Sequence, residues 1–185
     1  MKKYIILLSL IFFYFTGCWG QKRYLDFDIT PATRPAYLRD GKTILFSPIV
    51  KNKYRLILYN VDEKSITVIT PPLPEEDEFQ SPSLSYDGKT LAFTRVNKKL
   101  SNFEICIINV DGTGYKQITN ANHYSQRPLF SPDGQTIYFL RTLKQKERTG
   151  FWLYSIDIDG KNEKQISDGY YAIINPTCTL DGKYI

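Results

Sequence analysis

An Asp-Gly pair returns along this chain of 185 residues at an almost constant interval, and that repeat restricts the fold more than any other feature. Four of the seven Asp-Gly pairs form this repeat: their aspartates lie 47, 46 and 48 residues apart, and a proline stands five residues before each of them. The aspartates are Asp40, Asp87, Asp133 and Asp181, and the prolines are Pro35, Pro82, Pro128 and Pro176. A period of this length and regularity is typical of proteins built from structural repeats.

Each copy of the repeat predicts a β-hairpin. In the copy from Arg127 to Phe139, Leu129 to Ser131 form a short strand, and Gly134 supplies the positive φ of a tight reversal. Thr136 to Phe139 then form a second strand. Apolar residues recur two apart in every copy, the spacing that places side chains on one face of a strand. These positions are Tyr37, Leu84, Phe130 and Cys178 in the first strand, and Ile44, Phe46, Leu91, Phe93, Ile137, Phe139 and Ile185 in the second.

Two further strands fill the rest of each period. The third strand lies within Leu56–Asp62, Ile105–Asp111 or Leu153–Asp159, and the fourth is a short strand ending at Ile69-Thr70, Ile118-Thr119 or Ile166-Ser167. We call the four strands of a repeat A, B, C and D in chain order. Four strands in about 47 residues is the size of one β-propeller blade. The sequence therefore predicts an all-β, incomplete β-propeller with three full four-stranded blades and the start of a fourth.

The third repeat resembles the WD-like propeller repeat of the TolB family. The segments Phe130–Phe139, Ile156–Gly160 and Gln165–Ser167 carry this resemblance, which extends more loosely from about residue 24 to the end of the chain. The other copies keep Asp-Gly but replace the preceding Ser-Pro, having Leu38-Arg39, Ser85-Tyr86 and Thr179-Leu180 there. The same repeat type occurs in the propellers of tricorn-type and prolyl-oligopeptidase-type peptidases. The resemblance implies a fold but transfers no activity, because these residues build blades and functional sites are added separately.

The first residues of the chain are typical of an export signal. Lys2 and Lys3 precede a run of 12 apolar residues, Tyr4 to Phe15, which is shorter than the roughly 20 residues of a membrane-spanning helix. Thr16-Gly17-Cys18 then resembles the end of a bacterial lipoprotein signal. We therefore expect a signal peptide at residues 1–17 and a lipid on Cys18. Ordinary secretory cleavage, with Cys18 a small residue of the signal, is the alternative.

After a short linker at residues 18–22, residues 23–185 are predicted to form the partial propeller. Its repeats span about 31–80, 81–126, 127–174 and 175–185. The segment Arg23 to Thr30 ends like a D strand, so we expect it to complete a blade from the other end of the ring. Ile185 falls within an unfinished B strand. We therefore expect the natural gene to continue with further repeats, and residues 18–185 alone to aggregate or self-associate through uncovered edges.

The net charge of the chain bears on which partners it could bind. The chain has a formal net charge of +5, which becomes +3 when Lys2 and Lys3 leave with the signal. This charge is too small to indicate a nucleic-acid partner for an exported protein.

Cys106 and Cys178 lie on strands of different repeats, and we expect both to be small core residues without a disulfide between them.

No sequence motif for catalysis is present. The chain lacks Gly-x-Ser-x-Gly, His-Glu-x-x-His, Cys-x-x-Cys and a phosphate-binding glycine loop. The only histidine, His123, lies beside Tyr124 between strand D of the second repeat and strand A of the third, where a solvated loop residue is the simplest interpretation. The aspartates recur at turn positions, where they bond their own backbone. We therefore expect no catalytic residue, no metal site and no cofactor.

The loops of the predicted blades separate by charge. The A–B and C–D turns share one face of an up-and-down blade, and the B–C and D–A loops share the other. The three B–C loops carry seven basic residues, while the first D–A loop carries the acidic run Glu75 to Glu78. The basic residues are Lys51, Lys53, Lys98, Lys99, Lys144, Lys146 and Arg148. With His123 and Tyr124 they form a predicted interaction face for an anionic envelope component or protein. Lysines that merely keep hairpin tips soluble are the alternative.

These features predict a non-catalytic exported propeller, and the resemblance implies a TolB-like lipoprotein that binds envelope proteins in the periplasm or at the cell surface. We expect membrane contact only through the lipid, no nucleic-acid partner, and no obligate homo-oligomer of the full-length protein. Two enzyme classes are the alternatives. One is the amino-terminal propeller of a prolyl-oligopeptidase-type serine peptidase whose catalytic residues lie downstream. The other is a TolB-like carbohydrate-active enzyme with its site around the central channel.

Overall fold

The computed structural model describes residues 33–120, 124–145, 148–168, 176–179 and 181–185. The signal peptide, Cys18 and the Arg23 to Thr30 segment lie outside these residues. No helix in the described ranges is long and apolar enough to cross a membrane. The strands are β1 (Thr33–Tyr37), β2 (Thr43–Ser47), β3 (Ile49–Val50), β4 (Lys53–Tyr54), β5 (Leu56–Asn60), β6 (Ser65–Ile69), β7 (Glu78–Leu84), β8 (Thr90–Asn97), β9 (Asn102–Asn109), β10 (Lys116–Gln117), β11 (Tyr124–Phe130), β12 (Thr136–Gln145), β13 (Arg148–Asp157) and β14 (Lys164–Gln165).

The strand order confirms the predicted blades. Strands β1, β2, β5 and β6 pair antiparallel in that order and form the first blade. The second blade, β7 to β10, and the third, β11 to β14, repeat this order. They join into one sheet where β11 pairs in parallel with β9 at Tyr124 and Phe103. The short ribbon β3–β4 extends the first B–C connection. The protein is therefore an all-β, open propeller, as the repeat predicts.

The four A–B turns, each of which contains an Asp-Gly pair, have the same backbone arrangement. In the third turn, Ser131 N–H donates to the oxygen of Thr136 at 2.9 Å and Gly134 N–H donates to the oxygen of Ser131 at 2.9 Å. The fourth turn has equivalent bonds of 3.0 and 2.9 Å, made by Thr179 and Gly182. The four turn glycines have φ values between 65° and 77°, a region that glycine adopts without steric cost. The fourth repeat thus forms its turn, although residues 176–179 and 181–185 contain no strand.

Apolar side chains pack between adjacent blades. Phe93 belongs to a cluster that joins the first and second blades, and Phe139 belongs to one that joins the second and third. A third cluster, with Ile44, Phe46 and Ile57, lies on the face of the first blade turned away from the second. Alternate residues of a strand therefore face opposite neighbours, which accounts for the two-residue period in the sequence.

Each A strand contains a bulge beside the repeated proline. The A–B pairing shifts between Thr33 and Ala36, between Gln80 and Ser83, and between Gln126 and Leu129. The residue before the proline has a positive φ in the second and third blades, 49° at Ser81 and 56° at Arg127. This bend turns the Arg127 N–H away from its own sheet, and it donates to Thr94 Oγ1 of the preceding blade at 3.0 Å. The bulge therefore links neighbouring blades.

The D strands of the second and third blades end earlier than predicted. Ile118 and Thr119 N–H both donate to the oxygen of Ile105, at 2.8 and 3.3 Å, and Ile105 N–H donates back to Thr119 Oγ1 at 2.9 Å. A side-chain hydroxyl therefore replaces the next backbone partner of the ladder. Ser167 and Leu153 repeat this arrangement in the third blade, with the same 2.9 Å bond to the hydroxyl. The regular ladder consequently stops at β10 and β14, one residue before the predicted isoleucines.

A hydroxyl group also closes three of the four A–B turns. Ser85, Ser131 and Thr179 each donate to the carboxylate of the aspartate two residues later. This bond, together with a backbone N–H donated to the same carboxylate, lowers the pKa values of these aspartates, Asp87, Asp133 and Asp181. The stability added by these bonds is present above the ordinary carboxyl pKa, and it is lost as the pH falls through the lowered values.

The two described cysteines lie in different environments. Cys106 is fully buried between the first and second blades, and burial raises the pKa of its thiol to about 12. Cys178 is half-buried at the A position of the fourth repeat, with its sulfur 3.7 Å from the oxygen of Phe130. Both thiols are free.

Candidate functional site

The B–C and D–A loops meet on one face of the blades, which we call the loop face. In the described residues it comprises the B–C loops at 48–55 and 97–101, the D–A loop at 70–77, and Tyr124. Lys53 Nζ donates to the backbone oxygen of Glu75 at 3.0 Å, and Lys98 Nζ lies 2.6 Å from Glu78 Oε1. The structure therefore brings the predicted basic loops and the predicted acidic run into contact, so Lys53 and Lys98 are already engaged within the protein.

The other residues of the predicted interaction face are placed differently. Lys51 and Lys99 are exposed at hairpin tips, and neither forms an ion pair within the described chain. The Tyr124 side chain is 45% exposed and packs edge-on against Phe103, with ring centroids 5.1 Å apart. Lys144 lies in β12 and Arg148 begins β13, so both belong to the B–C hairpin of the third blade. His123 and Lys146 lie outside the described residues.

Arg55 fastens the acidic loop to the first blade. Its Nη1 donates to the backbone oxygen of Asp77 at 2.7 Å, and its Nη2 donates to the backbone oxygen of Glu75 at 2.9 Å. Since the cations bond carbonyl oxygens, the side chains of Glu75 and Glu76 are left exposed to solvent. The loop is therefore held by its backbone, and it presents two carboxylates on the loop face.

A buried ion cluster holds the other end of the same loop. Arg95 Nε and Nη2 both lie 2.7 Å from Asp77 Oδ2, and Arg95 Nη1 lies 3.3 Å from Glu104 Oε2 and from Gln117 Oε1. The side chains of Asp77, Glu104 and Arg95 are only 1%, 5% and 12% exposed. Burial disfavours the charged arginine, but the hydrogen bond and charge of Asp77 outweigh it and raise the pKa of Arg95. One buried cation thus serves two buried carboxylates.

The third blade has an arginine at the equivalent position. Arg141 Nη2 donates to Glu163 Oε2 at 2.8 Å, and Arg141 Nε donates to Ser125 Oγ at 3.2 Å. Its guanidinium also lies over the rings of Phe139 and Tyr154, 5.1 and 4.6 Å from their centroids. Glu163 is 32% exposed, so solvent reaches this ion pair more easily than the pair of Arg95 with Asp77.

Sequence reasoning missed these two arginines, although a signal for them was present. Arg95 and Arg141 each lie eight residues after the aspartate of an Asp-Gly pair, in a B strand whose preceding residues are mostly apolar. A charge that recurs at one register of a buried strand indicates an internal partner. The first repeat has Pro48 at this position, and its fastening residue is Arg55 instead.

The described loop face offers fixed charges and no pair of groups set up for proton transfer. Its buried carboxylates are bonded by Arg95, and the nearby Cys106 thiol is kept protonated by burial. No group of three or more histidines, cysteines or acidic residues that could hold a metal occurs in the part of the chain that the structure describes. The arrangement is suited to binding through charge and shape.

Comparison with known proteins places this geometry in a family. The family model described as TolB beta propeller domain matches residues 20–178. A Tol-Pal system protein TolB from Rhizorhabdus wittichii is 34% identical over 74 residues, which cover 40% of this chain and 16% of that protein. Another from Orientia tsutsugamushi is 39% identical over 62 residues, which cover 32% of this chain and 14% of that protein.

A solved structure gives the same result for the fold. The crystal structure of TolB from Acinetobacter baumannii superposes with a TM-score of 0.62 at 23% identity, covering 88% of this chain and 38% of that one. The chain therefore spans well under two thirds of the proteins that it matches. Because the family model matches most of the sequence and the blades follow its repeat, this chain belongs to the TolB β-propeller family.

Proposed function

We propose that this chain is part of a non-catalytic, exported propeller whose loop face binds another protein of the cell envelope. The observation that carries the proposal is that Lys51 and Lys99 are exposed and form no ion pair in the described residues, on the same face as the loop that Arg55 and Arg95 hold. Because that loop is already fixed, little conformational entropy is lost when a partner contacts this face. The relatives named Tol-Pal system protein TolB support a Tol-Pal component of the same cell as the partner.

Charge reversal at the hairpin tips tests this function. The double variant Lys51→Glu, Lys99→Glu is expected to weaken binding to an anionic partner surface by at least about tenfold, or about 1.4 kcal/mol. Both side chains are exposed, so the free energy of unfolding should change by less than about 0.5 kcal/mol. Binding is measured by titrating the purified Pal component of the same cell and by its co-purification with the full-length protein.

A matched variant on the opposite face separates specific from general charge effects. Lys42→Glu, Lys89→Glu makes the same charge change among the Asp-Gly turns, where both side chains are exposed. It should bind like the unaltered protein. Equal loss of binding in both double variants would contradict a site on the loop face, and full binding by the Lys51, Lys99 variant would return these lysines to a solubilising role.

We also propose that a lipid on Cys18 attaches the protein to a bacterial membrane, outside the cytoplasm. Cells supplied with radioactive palmitate are expected to label the protein, and Cys18→Ser should remove the label, since only the thiol at this position accepts the lipid. Cys178→Ser is the matched control and should leave labelling unchanged. Label that persists in Cys18→Ser would contradict the lipoprotein assignment.

A further inference from the structure

A small cleft opens on the face opposite the loop face, among the Asp-Gly turns. The A strand β7 contacts both β1 and β11, so the ends of the three A strands lie side by side towards the centre of the propeller. The residue before each turn aspartate, Arg39, Tyr86 or Pro132, lies at this central edge. These are positions where the first two repeats depart from the Ser-Pro of the third. The centre of this face therefore carries a cation, an aromatic ring and a proline side by side in place of a repeated Ser-Pro.

The cleft lies between the turns of the second, third and fourth repeats. It has a volume of about 80 Å³, and its walls include Leu84, Tyr86, Phe130, Pro132 and Cys178. The aliphatic hydroxyl groups of Ser131 and Thr179 also line it, but each is bonded to the aspartate of its own turn. Apart from the phenol hydroxyl of Tyr86, a residue that is 54% exposed, the walls present carbon, sulfur and hydroxyls that are already bonded, and the cleft fits an apolar group.

The size of the cleft restricts the kind of ligand. Pockets that enclose a small molecule usually measure about 300–1,000 Å³, several times more than this cleft. It has room for one aliphatic side chain, with the rest of the ligand lying outside on the turns. A peptide has this form, because it can insert a single side chain while its backbone follows the surface.

Arg39 supplies a charge at the rim. Its guanidinium lies 4.2 Å from the centroid of the Tyr86 ring, and Tyr86 is 54% exposed and forms one wall of the cleft. Arg39 is exposed and makes no ion pair with an acidic side chain in the described ranges. Stacking on the ring holds the guanidinium in place and leaves its N–H groups free for a carboxylate.

We propose that this cleft binds an extended acidic peptide segment, with one aliphatic side chain between Tyr86 and Pro132 and a neighbouring carboxylate paired with Arg39. The site lies on the face opposite the loop face, so it is a second binding surface and does not depend on the proposed envelope partner. Loss of one site leaves the other intact, which keeps the two tests distinct.

Cys178 provides a local reporter for occupancy. Its half-buried sulfur lines the cleft, whereas Cys106 is fully buried and serves as an internal reference. The rate of alkylation of Cys178 by iodoacetamide is followed by peptide mapping, in the presence of the blocked peptide acetyl-Gly-Leu-Asp-Gly-amide. We expect the rate to fall about twofold when the peptide concentration equals its dissociation constant. Peptides with alanine in place of leucine, or asparagine in place of aspartate, should protect less.

Two variants and one control assign the effect to the cleft. Tyr86→Ser removes an exposed wall and should abolish protection without affecting folding. Arg39→Gln should weaken protection about two- to fivefold for the aspartate peptide and leave protection by the asparagine peptide unchanged. Lys99→Gln makes the same charge change on the loop face and should protect like the unaltered protein. The proposal is overturned if the aspartate peptide gives no protection at about 10 mM, or if protection is equal in all three variants.

Discussion

Replacement of Arg95 by methionine is expected to lower the free energy of unfolding by about 3–5 kcal/mol, because removing one partner of a buried ion pair leaves the other charge uncompensated. Here two carboxylates lose their cation together, those of Asp77 and Glu104, which are 1% and 5% exposed. The D–A loop also loses the bonds that hold it on the second blade. Urea unfolding followed by circular dichroism and Trp152 fluorescence measures the loss.

A second substitution tests whether buried charge is the cause. Adding Asp77→Asn to Arg95→Met removes one uncompensated carboxylate while keeping the shape of the side chain, so the double variant should be more stable than Arg95→Met alone. Arg141→Met is the matched comparison, at the same repeat position but with a partner, Glu163, that solvent reaches. Its cost should be smaller, about 1–3 kcal/mol. Equal costs for the two arginines, or no recovery on adding Asp77→Asn, would contradict this account.

The blades could be predicted because their determinants are local. The glycine of each Asp-Gly pair fixes a turn within four residues, and the two-residue apolar period fixes which side chains face a neighbouring blade. The same repeat registers therefore recur in the observed A–B pairing, from Tyr37 and Ile44 to Phe130 and Ile137. A local pattern of this kind is readable without knowing the rest of the fold.

The departures from the prediction arise where one blade bonds another or where a side chain enters the ladder. The proline marked the repeat, but the bulge beside it depends on Thr94, which lies 33 residues before Arg127. The early end of β10 depends on the hydroxyl of Thr119, which replaces a backbone partner. The turn or strand propensity of a residue indicates neither a bond to another blade nor a side chain that replaces a backbone partner.

On the loop face, too, the sequence predicted the grouping of the loops but not the contacts between their side chains. The sequence indicated which loops share a face, and the contact of Lys53 with Glu75 agrees with that grouping. It could not indicate that the acidic run is held through its carbonyl oxygens by Arg55, or that Asp77 turns inward to Arg95. These choices depend on side-chain conformations and on contacts 18 to 22 residues apart. Counting charges therefore overstated the free positive charge, which in the described B–C loops is concentrated at Lys51 and Lys99.

The isoleucine that follows each short D strand allows two contributions to stability to be measured separately: packing against the next blade, and the backbone bond within its own blade. Ile118 and Ile166 make the same backbone bond, 2.8 Å to the C strand, but Ile118 is 5% exposed between two blades and Ile166 is 42% exposed. Ile118→Ala is expected to cost about 2–5 kcal/mol, because it leaves a cavity among well-packed side chains. In the 185-residue chain, Ile166→Ala is the matched control and should cost less than about 1 kcal/mol, since the described part of the fourth repeat has no strand to cover this side chain. Urea unfolding of both variants measures the difference, and equal costs would show that this isoleucine stabilises the D strand locally rather than by joining one blade to the next.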